Sequence, residues 1–163
     1  IRLETKESVF YLQDRLGFNG KIFKTIKFRT IYKDKNNRFR ISRLGNFLRK
    51  TALDESLQLI NILKAEMSFV GPRPLIYEEI KRESGLEGRF KVKPGLTGLA
   101  QVVIPKYSSV LEKLKYDLWY IKNQSLTLDL KIIFLSVLIS LKGKWESERN
   151  KPFLSFCITD KHL

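Results

Sequence analysis

The sequence predicts an α/β domain of the α+β kind, mostly helical and compact, with a small antiparallel strand element near its start. Three observations carry that expectation. Phe18-Asn19-Gly20 is a turn signal between two strand-like runs, because Asn and Gly tolerate positive φ. Beyond residue 42, apolar residues recur at helical spacing. The chain has 163 residues, 43% of them hydrophobic and 29% charged, which is one globular domain with enough apolar material for a core.

Taken in order, Ser8 to Gln13 reads as a short strand and Lys21 to Tyr32 as its returning partner. A period of two puts Ile22, Ile26 and Phe28 on one face and Phe23, Lys27, Arg29 and Ile31 on the other. Lys33 to Arg38 is a polar loop. Ser42 caps a helix over Arg43 to Lys50, with Leu44, Phe47 and Leu48 on its apolar side. Thr51 restarts the pattern, with Leu53, Leu57, Ile60 and Leu63 at helical spacing. Ser68 to Leu75 is expected as loop, since Pro72 and Pro74 exclude regular helix. A helix is expected over Ile76 to Ser84, then a turn-rich binding loop over Val92 to Val102. Tyr107 to Lys122 reads as a helix striped by Leu111, Leu114, Leu118 and Ile121.

Leu126 to Leu141 is the most apolar segment, and its uninterrupted part is too short for the roughly 20 residues that cross a bilayer. Two readings stand side by side: a buried core helix, or a helix lying in a membrane interface with Lys142, Lys144 and Trp145 as anchors. The domain is expected to span residues 1–145, with an irregular tail over 146–163.

The formal net charge is +14, and +10 of it falls in residues 1–50. Such a surplus attracts phosphates in nucleic acid, anionic membrane or nucleotide, and is equally a solvated basic surface. One cysteine excludes an internal disulfide, and one histidine, His162, argues against a histidine triad or a His/Cys metal cluster. No signal peptide pattern opens the sequence at Ile1.

Asp54 and Glu55 follow the most basic region. Thr51 and Asp54 have the spacing of a capping box, Thr51 as N-cap and Asp54 at the third position, and Glu55 then reads as a solvated residue. The same physics permits chemistry. A carboxylate held ionised at a helix start, beside Arg49 and Lys50, is a nucleophile for phosphorus, with Arg49, Lys27, Arg29 and a divalent metal offsetting the repulsion between anions.

The order of four motifs, "GFNGKIFKTIKFRT", "RLGNFLRKTALDESLQLINILKAEMSFVGPRPL", "RFKVKPGLTGLAQV" and "NQSLTLDLKI", resembles the bacterial sugar transferase family, the monotopic polyprenyl-phosphate phosphoglycosyl transferases. That resemblance implies transfer of a sugar 1-phosphate from a UDP-sugar to a polyprenyl phosphate, usually undecaprenyl phosphate, with release of UMP, in surface polysaccharide assembly. It implies Asp54 as the nucleophile that forms a covalent phosphosugar-enzyme, and Glu55 as a carboxylate that helps hold Mg2+. It implies Arg49 as a phosphate clamp, with Lys27 and Arg29 flanking the site. Pro72, Arg73 and Pro74 match a Pro-Arg-Pro motif with Arg73 toward the nucleotide, although a rigid turn with one arginine reads the same residues. Thr97, Gly98 and Gln101 match a donor-side loop, or an ordinary glycine turn. The resemblance places the protein on the cytoplasmic face of a bacterial inner membrane, as a possible homo-oligomer and with no nucleic acid partner.

The sequence departs from the family pattern in places. "IRLETKESVFYLQ" resembles the stretch that follows the family's re-entrant membrane helix. Asp-Glu-Ser-Leu-Gln stands where Asp-Glu-Leu-Pro-Gln is usual, and Val103-Ile104-Pro105 replaces a polar continuation after Gln101. Two other readings remain open at this stage. One is a basic nucleic-acid-binding module using Phe23, Phe28, Phe39 and Phe47, and the other an inactive relative that keeps the fold.

Overall fold

The computed structural model describes residues 8–78, 85–105, 107–143 and 145. Strand β1 (Phe10–Leu16) turns through a short 3-10 segment (Phe18–Gly20) into β2 (Ile22–Phe28), and the two pair antiparallel. Asn19 and Gly20 take positive φ in that turn, as their chemistry allows. The expected long second strand is in fact two. It breaks at Arg29 and Thr30, and β3 (Ile31–Lys33) pairs antiparallel with β4 (Phe39–Ile41) instead. The loop between them closes on Asp34, whose Oδ1 accepts from the backbone N–H groups of Asn36 and Arg38. These local bonds compete well enough with solvent to make a second hairpin that hydrophobic periodicity does not reveal.

Helix α1 (Arg43–Lys50) matches its predicted bounds, with the Ser42 hydroxyl accepting from the Gly45 N–H at 2.9 Å. The capping box after it does not form. Thr51 ends α1, and its hydroxyl donates to the carbonyl of Phe47 at 2.9 Å. Ala52 then takes a left-handed conformation (φ 57°), at a cost of about 1–2 kcal/mol for a residue with a Cβ. A 3-10 segment over Leu53–Gln58 runs on into α2 (Leu59–Leu63). In 3-10 geometry residues three apart eclipse. Glu55, Gln58 and Asn61 therefore stack on one face, and that face is buried. Leu53, Ile60 and Leu63 are exposed, Leu63 at 87%.

The loop expected over Ser68 to Leu75 contributes a strand, β5 (Ser68–Val70), parallel to β6 (Gly95–Thr97). The expected Val92 to Val102 loop contains β6 and the start of α3 (Leu99–Val103). This pairing is long-range, so no local pattern announces it. A Cβ at Gly98 would lie 2.2 Å from the carbonyl oxygen of Gly71, and one at Gly95 would lie 2.1 Å from the Gly71 nitrogen. Three glycines thus let two backbones touch. Helix α4 (Val110–Lys122) starts at a Ser109 cap, three residues later than the stripe suggested, and α5 (Leu126–Leu141) keeps its predicted bounds. The helix expected over Ile76 to Ser84 falls mainly outside the described residues, as does the tail over 146–163.

The core joins β5, α3, α4 and α5. Val70, Leu99, Val102, Ile104, Tyr120, Ile132, Leu135 and Ile139 pack together. Each such burial stabilises by roughly 1.5–3 kcal/mol. Tyr120 ties the layers, its hydroxyl donating to Asp129 Oδ1 on α5 at 2.8 Å. Leu126, Leu130, Phe134, Val137 and Leu141 form an exposed stripe on the other side of α5. The helix therefore serves the core on one face and leaves an apolar face open. Among the described residues, no helix is long and apolar enough to cross a membrane.

Candidate active site

The site begins with β2. Alternation turns Phe23, Thr25 and Lys27 toward the 3-10 segment, and Phe23 and Thr25 are buried. Successive residues of a 3-10 helix diverge by roughly 120°. Asp54 and Glu55 accordingly part company: Asp54 is half-buried and lines an open cleft, while Glu55 turns inward and is buried. Lys27 Nζ donates to Glu55 Oε1 at 2.7 Å. Arg73 donates from Nη2 to the same oxygen at 2.8 Å and from Nη1 to Oε2 at 3.3 Å.

Burial alone would push the Glu55 carboxyl up, but Arg73 and then Lys27 outweigh it and hold the group well below the ordinary carboxylate range. Lys27 is pushed down to about 8, first by burial and then by Arg73, with Glu55 pulling the other way. Glu55 thus acts as a fixed anion that keeps two cations at the cleft.

Arg73 is held by its own loop. Pro72 and Pro74 have no N–H to satisfy. Each carbonyl of the three residues is taken: Pro72 by the Gly95 N–H at 2.9 Å, Arg73 by Arg89 Nη2 at 2.9 Å, and Pro74 by Arg15 Nη1 at 2.9 Å. Arg89 in turn lies 2.8 Å from Asp117 Oδ2 of α4, both side chains being buried. Burial raises Asp117 to about 6 in spite of Arg89 and Lys113.

Two cavities meet at the Glu55–Arg73 pair. The larger, about 610 Å³, is lined by Asp54 and Glu55, by the four cations Lys27, Arg29, Arg49 and Arg73, and by apolar side chains. Four cations against two carboxylates leave a positive surplus, the charge pattern that suits a diphosphate. The smaller, about 240 Å³, is lined by Gln101, Arg15, Arg89, Lys113 and Tyr107 among others. Of the residues singled out from sequence, Lys27, Arg29, Arg49, Asp54, Glu55 and Arg73 come together at the first cavity, and Pro74 and Gln101 line the second. Thr97 and Gly98 line neither; the Thr97 hydroxyl shares a hydrogen bond with Ser136 of α5, and Gly98 packs on Gly71. Pro72 lines only a minor crevice.

The chain matches the family described as bacterial sugar transferase over residues 1–143. It is 38% identical to EpsL, an uncharacterized sugar transferase of Bacillus subtilis, over 84% of this chain and 72% of that protein. The chain belongs to the bacterial sugar transferase family. Another member, the UDP-glucose:undecaprenyl-phosphate glucose-1-phosphate transferase of Klebsiella pneumoniae, is 39% identical over 84% of this chain and 33% of its own length. The UDP-galactose-lipid carrier transferase of Erwinia amylovora is 38% identical over 81% of this chain and 33% of its own length. The chain therefore spans about a third of those two longer relatives.

The geometry brings in residues that sequence reasoning passed over. Arg15, Arg89 and Asp117 support the Arg73 loop, and Tyr11 lines the main cleft. Arg89 stands inside the third sequence motif, but its ion pair with a helix residue 28 positions away has no local signature. The four phenylalanines that suggested nucleic acid binding do not share a surface role. Phe23 is buried, Phe28 and Phe39 line the cleft, and Phe47 is exposed on α1.

Proposed function

We propose that this chain transfers the sugar 1-phosphate of a UDP-sugar to a polyprenyl phosphate such as undecaprenyl phosphate, in the assembly of a bacterial surface polysaccharide. The observation that carries the reading is Asp54 on a cleft shared with Lys27, Arg29, Arg49 and Arg73. A carboxylate oxygen of Asp54 attacks the phosphorus next to the sugar. The bond to the bridging oxygen breaks and UMP leaves with the electron pair, so the enzyme carries an acyl-phosphate ester of the sugar phosphate. An oxygen of the polyprenyl phosphate then attacks the same phosphorus. Asp54 leaves as carboxylate, and a polyprenyl diphosphate sugar is formed. Both steps bring anion to anion, and the surrounding cations are most useful where charge gathers on the phosphoryl oxygens.

Glu55 works through its neighbours, keeping Lys27 and Arg73 charged and aimed. A Mg2+ ion takes oxygen ligands in octahedral geometry and keeps several waters. Asp54 and Glu55 both line the main cleft and are the carboxylates that would hold such an ion, with phosphate oxygens and water as further ligands. When bound, Mg2+ would supply neutralisation of the diphosphate. The second cavity, where Gln101 and Arg73 stand among apolar side chains such as Leu75, Ile104 and Val110, fits the nucleotide side of the donor. The exposed stripe of α5 and the outward Leu53, Ile60 and Leu63 fit the interfacial layer of the cytoplasmic leaflet.

The test is mass spectrometry of the chain incubated with UDP-glucose or UDP-galactose and Mg2+. A gain equal to one sugar phosphate, with UMP in solution, is expected for the wild type and lost in Asp54→Asn. UMP release by a folded Asp54→Asn at the wild-type rate would overturn the assignment.

A further inference from the structure

The main cleft has two chemistries in one wall. Its cations have been described, but Phe28, Ile31, Phe39 and Tyr11 line it as well. The apolar part does not stop at the rim. Pairing of β3 with β4 sets Ile31 opposite Ile41 and Lys33 opposite Phe39, so one face of that hairpin carries Ile31, Ile41 and Phe39, with Lys33 at its end beside Phe39. All three are exposed, Phe39 at 74%. The rings also sit where charge gives way to hydrocarbon: the Arg29 guanidinium lies over Tyr11 at 5.6 Å, and the Lys33 ammonium over Phe39 at 5.4 Å. Phe28 is braced from outside by Phe10, ring centroids 6.3 Å apart.

A nucleoside is compact and asks for a bounded pocket with hydrogen-bonding groups. A phosphate on a hydrocarbon tail asks for cations at one end and an apolar way out at the other. The cleft meets the second description. We propose that the β3–β4 hairpin is the guide for the acceptor's lipid tail. Its phosphate sits among Lys27, Arg29 and Arg49, and its first prenyl units leave over Phe39 and Ile31 toward Ile41. This rests on the transfer reading above and deepens it by assigning acceptor specificity to a hairpin that carries none of the reacting groups.

Two measurements test it, one independent of turnover. In Phe39→Trp, farnesyl phosphate is expected to blue-shift the added emission with saturation, whereas inorganic phosphate and UDP-glucose are not. A shift with UDP-glucose and none with farnesyl phosphate would assign the wall to the nucleoside, and no shift with either would remove the hairpin from binding; both overturn the proposal. In steady-state assays in detergent micelles, Phe39→Ser is expected to raise KM for the polyprenyl phosphate roughly tenfold, the loss of one ring's apolar contact with the tail, while KM for the nucleotide sugar stays where it was. Phe39→Leu restores most of it, and Ile22→Ser, at another well-exposed apolar residue on the other hairpin, leaves it alone. An unchanged lipid KM in a folded Phe39→Ser overturns the tail guide. Failure of the transfer chemistry appears separately, as absence of UMP release from wild type, and the emission experiment still decides the role of the hairpin.

Discussion

Asp54 and Glu55 are neighbours in sequence with different tasks, and a 3-10 turn separates them. Asp54 keeps access to the cleft, while Glu55 gives up its solvent to two cations. The consequence is a pH dependence centred on Lys27. Its ammonium is lowered to about 8 by burial and by Arg73, so it loses its charge as pH rises through that value. Transfer is expected to fall on the alkaline side above about pH 8, read from kcat/KM against pH. Lys27→Arg is expected to move that limb upward, since a guanidinium stays charged. Glu55→Gln moves it downward, because the carboxylate is what raises Lys27. The effect on stability has the opposite sense. With the folded value below the unfolded one, the unfolded chain holds more protons between about 8 and 10.5, so the cost of burying Lys27 is present below about pH 8 and is relieved as pH rises through that window.

At the scale of elements, the active-site loop is held from three directions. β1 supplies Arg15, β6 supplies the Gly95 N–H, and α4 supplies Asp117 through Arg89. The Arg89–Asp117 pair is buried, and removing one partner strands the other. Asp117→Leu is expected to cost about 3–5 kcal/mol in denaturant unfolding, and adding Arg89→Met to recover most of it. The double variant should then be folded but poor in transfer, because the Arg73 carbonyl has lost its donor. Asp117 also has a pH signature. Its folded value is raised to about 6, so the folded state holds the proton longer, and its contribution to stability declines as pH rises from about 4 to 6. This support was only half legible beforehand. The Pro-Arg-Pro motif announces a rigid turn, but the hydrogen bonds that aim Arg73 come from residues 16 or more positions away.

For the whole molecule, the first half is organised against the usual rule. β2 turns Lys27 inward and Ile22 outward, and the segment over 53–63 buries Glu55, Gln58 and Asn61 while exposing leucines. The buried amide of Asn61 is held through its Nδ2, which donates to the Lys24 carbonyl at 2.8 Å and to Glu66 at 2.7 Å. The transfer proposed above calls for charge inside and hydrocarbon outside. The backbone N–H of Trp145 donates to the Lys50 carbonyl at 3.2 Å, so the end of α5 lies against the end of α1. With a net charge of +14, the chain is expected to bind anionic vesicles and to release partly at high salt. Leu130→Glu with Phe134→Glu should abolish sedimentation with vesicles while leaving the thermal midpoint within a few degrees, because neither residue serves the core. Retained sedimentation in that variant would remove α5 from the contact.

Local patterns were enough for the two helices with clear caps and periodicity, Arg43–Lys50 and Leu126–Leu141, for the Asn-Gly turn, and for six of the residues that meet at the main cleft. These rest on hydrogen bonds and spacings a few residues long, or on motif order. Other features came only with packing. A 3-10 rather than α geometry after Ala52 decided which carboxylate stays half-buried at the cleft and which is buried against Lys27 and Arg73. The parallel β5–β6 pair arose from glycine backbones meeting across the chain. The face of α5 that stays open was set by where β5, α3 and α4 had already filled the other side. Hydrophobicity states how much surface will be buried, but which surface is settled only when distant segments compete for it.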